Sequence, residues 1–218
     1  MVDGLISGKP RLRGVTHEWA FFVSLPLGLG LVISAPSGRA ALAAGIYALS
    51  VALLFGASAL YHRVNWRSLA TRRWMRRLDH SMIFVLIAGT YTPFALLVLH
   101  GTLATVILIV IWTGAAAGIV LKLFWIDAPK WLIAVIYVAL GWVAVAAFPD
   151  MLDRLGVTPT AMVAAGGVLY TLGAVVYARH RPDPVPQVFG YHEVFHALVI
   201  AAAALQYAVI AFYVLPDA

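Results

Sequence analysis

The chain has 218 residues, is 63% hydrophobic and only 11% charged, against roughly 25% charged in a soluble domain, so it calls for lipid around it. Its formal charge of +6 comes mostly from arginines set between apolar runs, which argues against nucleic acid and fits orientation in a membrane. It has no cysteine, which excludes disulfides and thiolate metal sites.

A helix needs about 20 mostly apolar residues to cross a bilayer, and seven segments qualify. The first, Trp19–Ala35, contains Pro26 and several glycines. It lacks a small-residue cleavage site and is expected to be a retained helix rather than a signal peptide. Ala40–Tyr61 follows the turn Ala35-Pro36-Ser37-Gly38. Ser81–Leu99 contains Pro93, which should kink it, with Thr90 or Thr92 available to the freed carbonyl. Thr102–Phe124 carries Gly114 and Gly118, a small-xxx-small pair expected to serve packing within the chain. Trp131–Phe148 follows Asp127-Ala128-Pro129, then comes Thr160–Ala178, and the proline-rich 181–186 stretch leads into Tyr191–Leu215. No internal repeat supports an inverted-repeat transporter. The expectation is an all-α membrane protein, a single seven-transmembrane helix bundle over 1–218.

With a cytoplasmic N-terminus, the inner side holds Lys9, Arg11, Arg13, Arg63, Arg67, Arg72, Arg73, Arg76, Arg77, Lys122, Lys130, Arg179 and Arg181. The outer side holds Arg39 and Arg154. Thirteen against two fixes the expected polarity, and an odd number of spans leaves the C-terminus outside. Residues 1–16 then form a short cytoplasmic segment and 63–77 a basic cytoplasmic loop. In that loop Trp66, Leu69, Ala70 and Trp74 recur at helical spacing, as in an interfacial helix. The alternative is a solvated loop that only enforces topology, and the charge bias already accounts for its arginines.

Ionisable groups at membrane depth are expensive and usually functional. His192 and His196 stand four apart, on one helical face one turn apart, at the inner end of the seventh span. His62 ends the second span on that side, Asp79 opens the third, and Ser58 lies one turn before His62. A histidine alone at a span end is commonly an interfacial residue, and Ser58 alone could bond its own helix. Together they point to a metal site. Zinc fits best, because three imidazoles leave an open fourth position where a water is acidified. Asp79 would accept that water's proton or orient it, and Ser58 would hydrogen-bond the water or a substrate oxygen. Haem is the rival cofactor, but a pair four residues apart suits a small ion. His17, His80, His100 and His180 read as interfacial or loop residues.

His192-Glu193-Val194-Phe195-His196 also matches H-E-x-x-H, in which Glu193 would be a protease's general base. No His, Asp or Glu follows until Asp217, so the third ligand would come from upstream, and the protease reading is the minor one.

These stretches resemble the hemolysin III family, the bacterial branch of the progestin and adipoQ receptor superfamily. The matching residues are Ser58-Ala59-Leu60-Tyr61-His62, Arg77-Leu78-Asp79-His80 with Gly89-Thr90-Tyr91-Thr92-Pro93-Phe94, and Phe189-Gly190-Tyr191-His192-Glu193-Val194-Phe195-His196. Thr16-His17-Glu18 resembles the family's pre-span motif. The resemblance implies zinc on His62, His192 and His196, with Asp79 holding the water and Ser58 nearby. It also implies ceramidase-like amide hydrolysis, a link to membrane lipid homeostasis and a place in the bacterial inner membrane.

The leading expectation is therefore a zinc-dependent hydrolase of a lipid-like amide or ester that enters laterally from membrane lipid. The alternatives are a non-catalytic, zinc-stapled regulator or receptor-like protein, and a pore-forming hemolysin. The pore has little support, since no helix carries a polar stripe.

Overall fold

The computed structural model describes residues 9–218; the first eight residues of the N-terminal segment lie outside the described residues. The described residues are all-helical, with no strand beyond an isolated bridge between Val185 and Phe189. Seven helices are long and apolar enough to cross a membrane: α1 Val15–Ser34, α2 Gly38–Arg63, α3 Leu69–Val98, α4 Gly101–Phe124, α5 Lys130–Leu155, α6 Val157–Arg179 and α7 Tyr191–Val214. Trp19, Phe22, Ile33, Phe124, Trp131 and Phe212 lie exposed on the outside. Large apolar side chains facing outward from every side of a bundle are what a lipid solvent allows and water penalises.

The helix starts follow local chemistry. Ser37 caps α2 by accepting from the Ala40 amide at 3.2 Å, and Ser68 caps α3 by accepting from Thr71 at 3.4 Å, the usual role of a serine before a first turn. Because that cap lies at Ser68 and no glycine or proline intervenes before Gly89, α3 begins at Leu69. Residues 69–77 are thus the first turns of α3, continuous with the apolar run that begins at Ser81, and not a separate helix. The α-helical part of α3 ends at Pro93, and a wider π turn covers Phe94–Val98. Proline at a helix end removes a donor and loosens the ladder. Thr90 donates to the Leu86 carbonyl at 2.8 Å and Thr92 to that of Ala88 at 2.9 Å. These are back-bonds within the preceding turns, and neither reaches the Gly89 carbonyl that Pro93 leaves free.

α5 is α-helical over Lys130–Gly141, tightens to a 3₁₀ segment over Trp142–Ala147, and resumes over Phe148–Leu155. Tyr91 of α3 stitches this irregular stretch. Its hydroxyl donates to the Gly141 carbonyl at 2.5 Å and accepts from the Ala144 amide at 2.6 Å. Non-helical backbone at membrane depth needs such partners inside the protein.

Close packing runs through small residues. Ala40, Ala43 and Ala44 of α2 are fully buried. A Cβ on Gly118 would fall 2.2 Å from the Phe84 ring, and one on Gly114 would fall 2.6 Å from Leu140. Both glycines therefore let α4 approach its own neighbours α3 and α5, as the small-xxx-small spacing led one to expect.

Candidate metal centre

The last turns of α2, the first turns of α7 and the stretch of α3 about three turns from its start meet where the arginines gather. α2 delivers Ser58 and His62, α3 delivers Asp79, and α7 delivers His192 and His196, all five buried. The ligand-capable nitrogens of His62, His192 and His196 lie within 4.8 Å of one another. His192 Nε2 and His62 Nε2 stand 3.1 Å apart. Asp79 Oδ2 stands 3.7 Å from His62 Nε2. The i, i+4 spacing in α7 places its two rings 4.5 Å apart, centroid to centroid, both facing His62.

The donor set fits zinc. Nitrogens bound tetrahedrally at about 2.0–2.1 Å stand about 3.3 Å from one another, close to the His62–His192 separation. His196 Nδ1 is buried with no hydrogen-bond partner among the described residues. Three buried imidazoles crowded this closely, with a carboxylate beside them, are costly without a cation to face.

His17 is placed quite differently from the sequence expectation. It is no interfacial residue: only 2% of it is exposed, and it sits inside the centre. Its Nδ1 is 2.8 Å from Ser58 Oγ, and its ring lies flat on His196 with centroids 3.7 Å apart and planes 7° from parallel. His80 is half-buried and lines the adjoining cavity. His180, in the loop after α6, is exposed.

The backbone before α1 brings His17 there. Residues 11 and 12 bond the loop before α7, Arg11 N to Gln187 O at 3.0 Å and Leu12 N to Val188 O at 3.1 Å. Gly14 then turns the chain with φ of 80°, and a Cβ there would sit 2.6 Å from that of His62. A left-handed backbone in so close an approach needs glycine. Glu18 accepts from Arg63 at 2.7 Å, tying α1 to the end of α2.

Glu193 has no exposed surface and is paired with Arg13. Its other oxygen accepts from the Gly190 amide at 2.9 Å, capping α7. A carboxylate held by an arginine and a helix cap is committed to structure, which removes the support for Glu193 as a protease base.

A cavity of about 170 Å³ leads away from the centre, lined at one end by His17, Ser58, Asp79, His192 and His196. Along α3 its lining runs from Asp79 to Phe94, about 22 Å at the helical rise. Beyond the polar end its walls are mainly aliphatic and aromatic, including Ile83, Ile87, Phe94, Trp142 and Phe148.

Residues 7–207 match the family described as Haemolysin-III related. The chain is 32% identical to Hemolysin-3 of Bacillus cereus over 94% of its own length and 92% of that protein. It is 31% identical to a Hemolysin-3 homolog of Bacillus subtilis (strain 168), over 92% of each. The human Monocyte to macrophage differentiation factor is 27% identical across 75% of this chain and 67% of that protein. The two bacterial relatives and the seven apolar helices agree on an integral protein of the plasma membrane. The chain belongs to the haemolysin-III related family.

Proposed function

We propose that the protein is a zinc-dependent hydrolase of a lipid-like amide or ester, acting within membrane lipid homeostasis. The observation that carries this is the convergence of three buried imidazoles and Asp79 at the end of a long, mainly apolar cavity. The cavity suits an acyl chain, and the polar end suits the carbonyl at its head. The charge bias of the sequence supports a cytoplasmic N-terminus, which sets the centre near the inner leaflet. Substrate then arrives laterally from membrane lipid.

His62, His192 and His196 would hold the zinc, which when bound supplies Lewis acidity for acidifying water and polarising a carbonyl. Asp79 accepts the proton of the attacking water at a carboxylate oxygen and passes it to the leaving group. Ser58 holds the carbonyl oxygen of the substrate or the attacking water through its hydroxyl. The apolar cavity wall keeps bulk water from the acyl chain.

Asp79→Asn is expected to retain zinc and lower hydrolysis of amide or ester lipids about 100-fold or more, the scale of a lost general base. Lipid release and metal content measured on the same zinc-loaded preparation check this. Wild-type rates in the Asn variant contradict the role of Asp79. A wild-type protein that holds zinc and hydrolyses neither lipid class favours the zinc-stapled, non-catalytic reading.

A further inference from the structure

We infer that His17 is a positioning residue of this centre, fixing the plane of the His196 ring and the direction of the Ser58 hydroxyl. The inference rests on the zinc reading given above and adds to it a fourth helix, α1.

Two contacts carry it. His62 and His192 meet the His196 ring at 64° and 61°, whereas His17 lies at 7°. A flat neighbour at 3.7 Å between centroids restricts rotation of the His196 ring about its last torsion. An edge-on neighbour leaves more of that torsion free. On its other side, His17 Nδ1 lies 2.8 Å from Ser58 Oγ. A hydroxyl rotor held by one fixed partner has its remaining lone pair or proton aimed in a set direction. The ring is braced in turn by Phe55, edge to face at 5.0 Å. It stands three residues past the Gly14 turn that lays the chain on His62. Hydrogen-bonding partners that orient metal-binding side chains typically cost about 10- to 100-fold in metal affinity when lost, and a ring stacked on His196 constrains the same torsion by packing.

The two contacts separate by substitution. His17→Phe keeps a flat ring against His196 and removes Nδ1. His17→Asn keeps a hydrogen-bonding group and removes the ring. The experiment uses purified full-length protein, with zinc affinity from chelator competition and the visible absorption of the cobalt(II)-loaded form as a reporter of ligand geometry.

His17→Phe is expected to bind zinc with near wild-type affinity but to change the cobalt spectrum. Ser58→Ala should give the same change, and the double variant no more than either alone, the signature of one shared interaction. His17→Asn is expected to lose about 10- to 100-fold in zinc affinity. If the Asn variant does not fold, the Phe and Ser58→Ala pair still decides. Wild-type affinity and spectrum in both His17 variants overturn the role of His17 while leaving the zinc reading intact. A wild-type protein that takes up neither metal overturns both.

Discussion

His196→Ala is expected to abolish zinc retention. His196 is buried at the meeting of four rings, edge-on to His62 and His192 and flat against His17. Its removal takes one of three nitrogens from the ligand set and leaves two, one from α2 and one from α7. Zinc sites in proteins keep three protein ligands even where a fourth position stays open. The loss should therefore exceed the about 10- to 100-fold that follows removal of an outer partner. Zinc content after dialysis against a mild chelator reads the effect, with Asp79→Asn as the comparison that keeps all three nitrogens. Equal zinc in the alanine variant and the wild type would sink the assignment of His196.

The second large effect is on stability. Glu193 has no exposed surface and Arg13 is its charge partner, reaching across from the segment before α1. Arg13→Met leaves a buried carboxylate with only the Gly190 amide to face. Breaking a buried pair from one side costs about 3–5 kcal/mol. For a chain of this length that corresponds to roughly 10 °C in the unfolding midpoint. Adding Glu193→Gln should recover most of the loss, because the neutral side chain still caps Gly190 through its carbonyl oxygen and buries no charge. Thermal unfolding in detergent measures both variants. A midpoint unchanged in Arg13→Met means that the pair contributes nothing net. A double variant no better than the single one means that the loss comes from the missing Arg13 side chain itself and not from an uncompensated carboxylate.

The fold was legible because the bilayer forces it. Seven apolar runs of spanning length could be read in order, and each reappears as a helix within a few residues at most of its ends. The exceptions are α3, where the apolar run starts at Ser81 but the helix starts at Leu69, and α5, where the run ends at Phe148 but the helix continues to Leu155. Hydropathy marks where a chain leaves lipid, not where a helix begins; the cap at Ser68 marks that. The three-histidine cluster was legible for a similar reason. His192 and His196 announce one helix face by spacing, and His62 and Asp79 share its depth.

What the sequence hid was lateral placement. His17 has the depth of an interfacial residue, and only the Gly14 turn and the packing of α1 against α2 and α7 carry it inward. The one local signal was the Thr16-His17-Glu18 motif, whose acidic member ties α1 to α2 through Arg63. Glu193 was ambiguous for a related reason. In sequence it resembles a catalytic glutamate between two ligands, and its pairing with Arg13, 180 positions away, appears only in the fold.

X-ray absorption at the zinc edge of the purified, zinc-loaded protein tests the central claim most directly. Three imidazole nitrogens at about 2.0–2.1 Å and one further light atom are the expected zinc shell. A protein that binds no zinc, or a zinc shell without imidazole scattering, would contradict it.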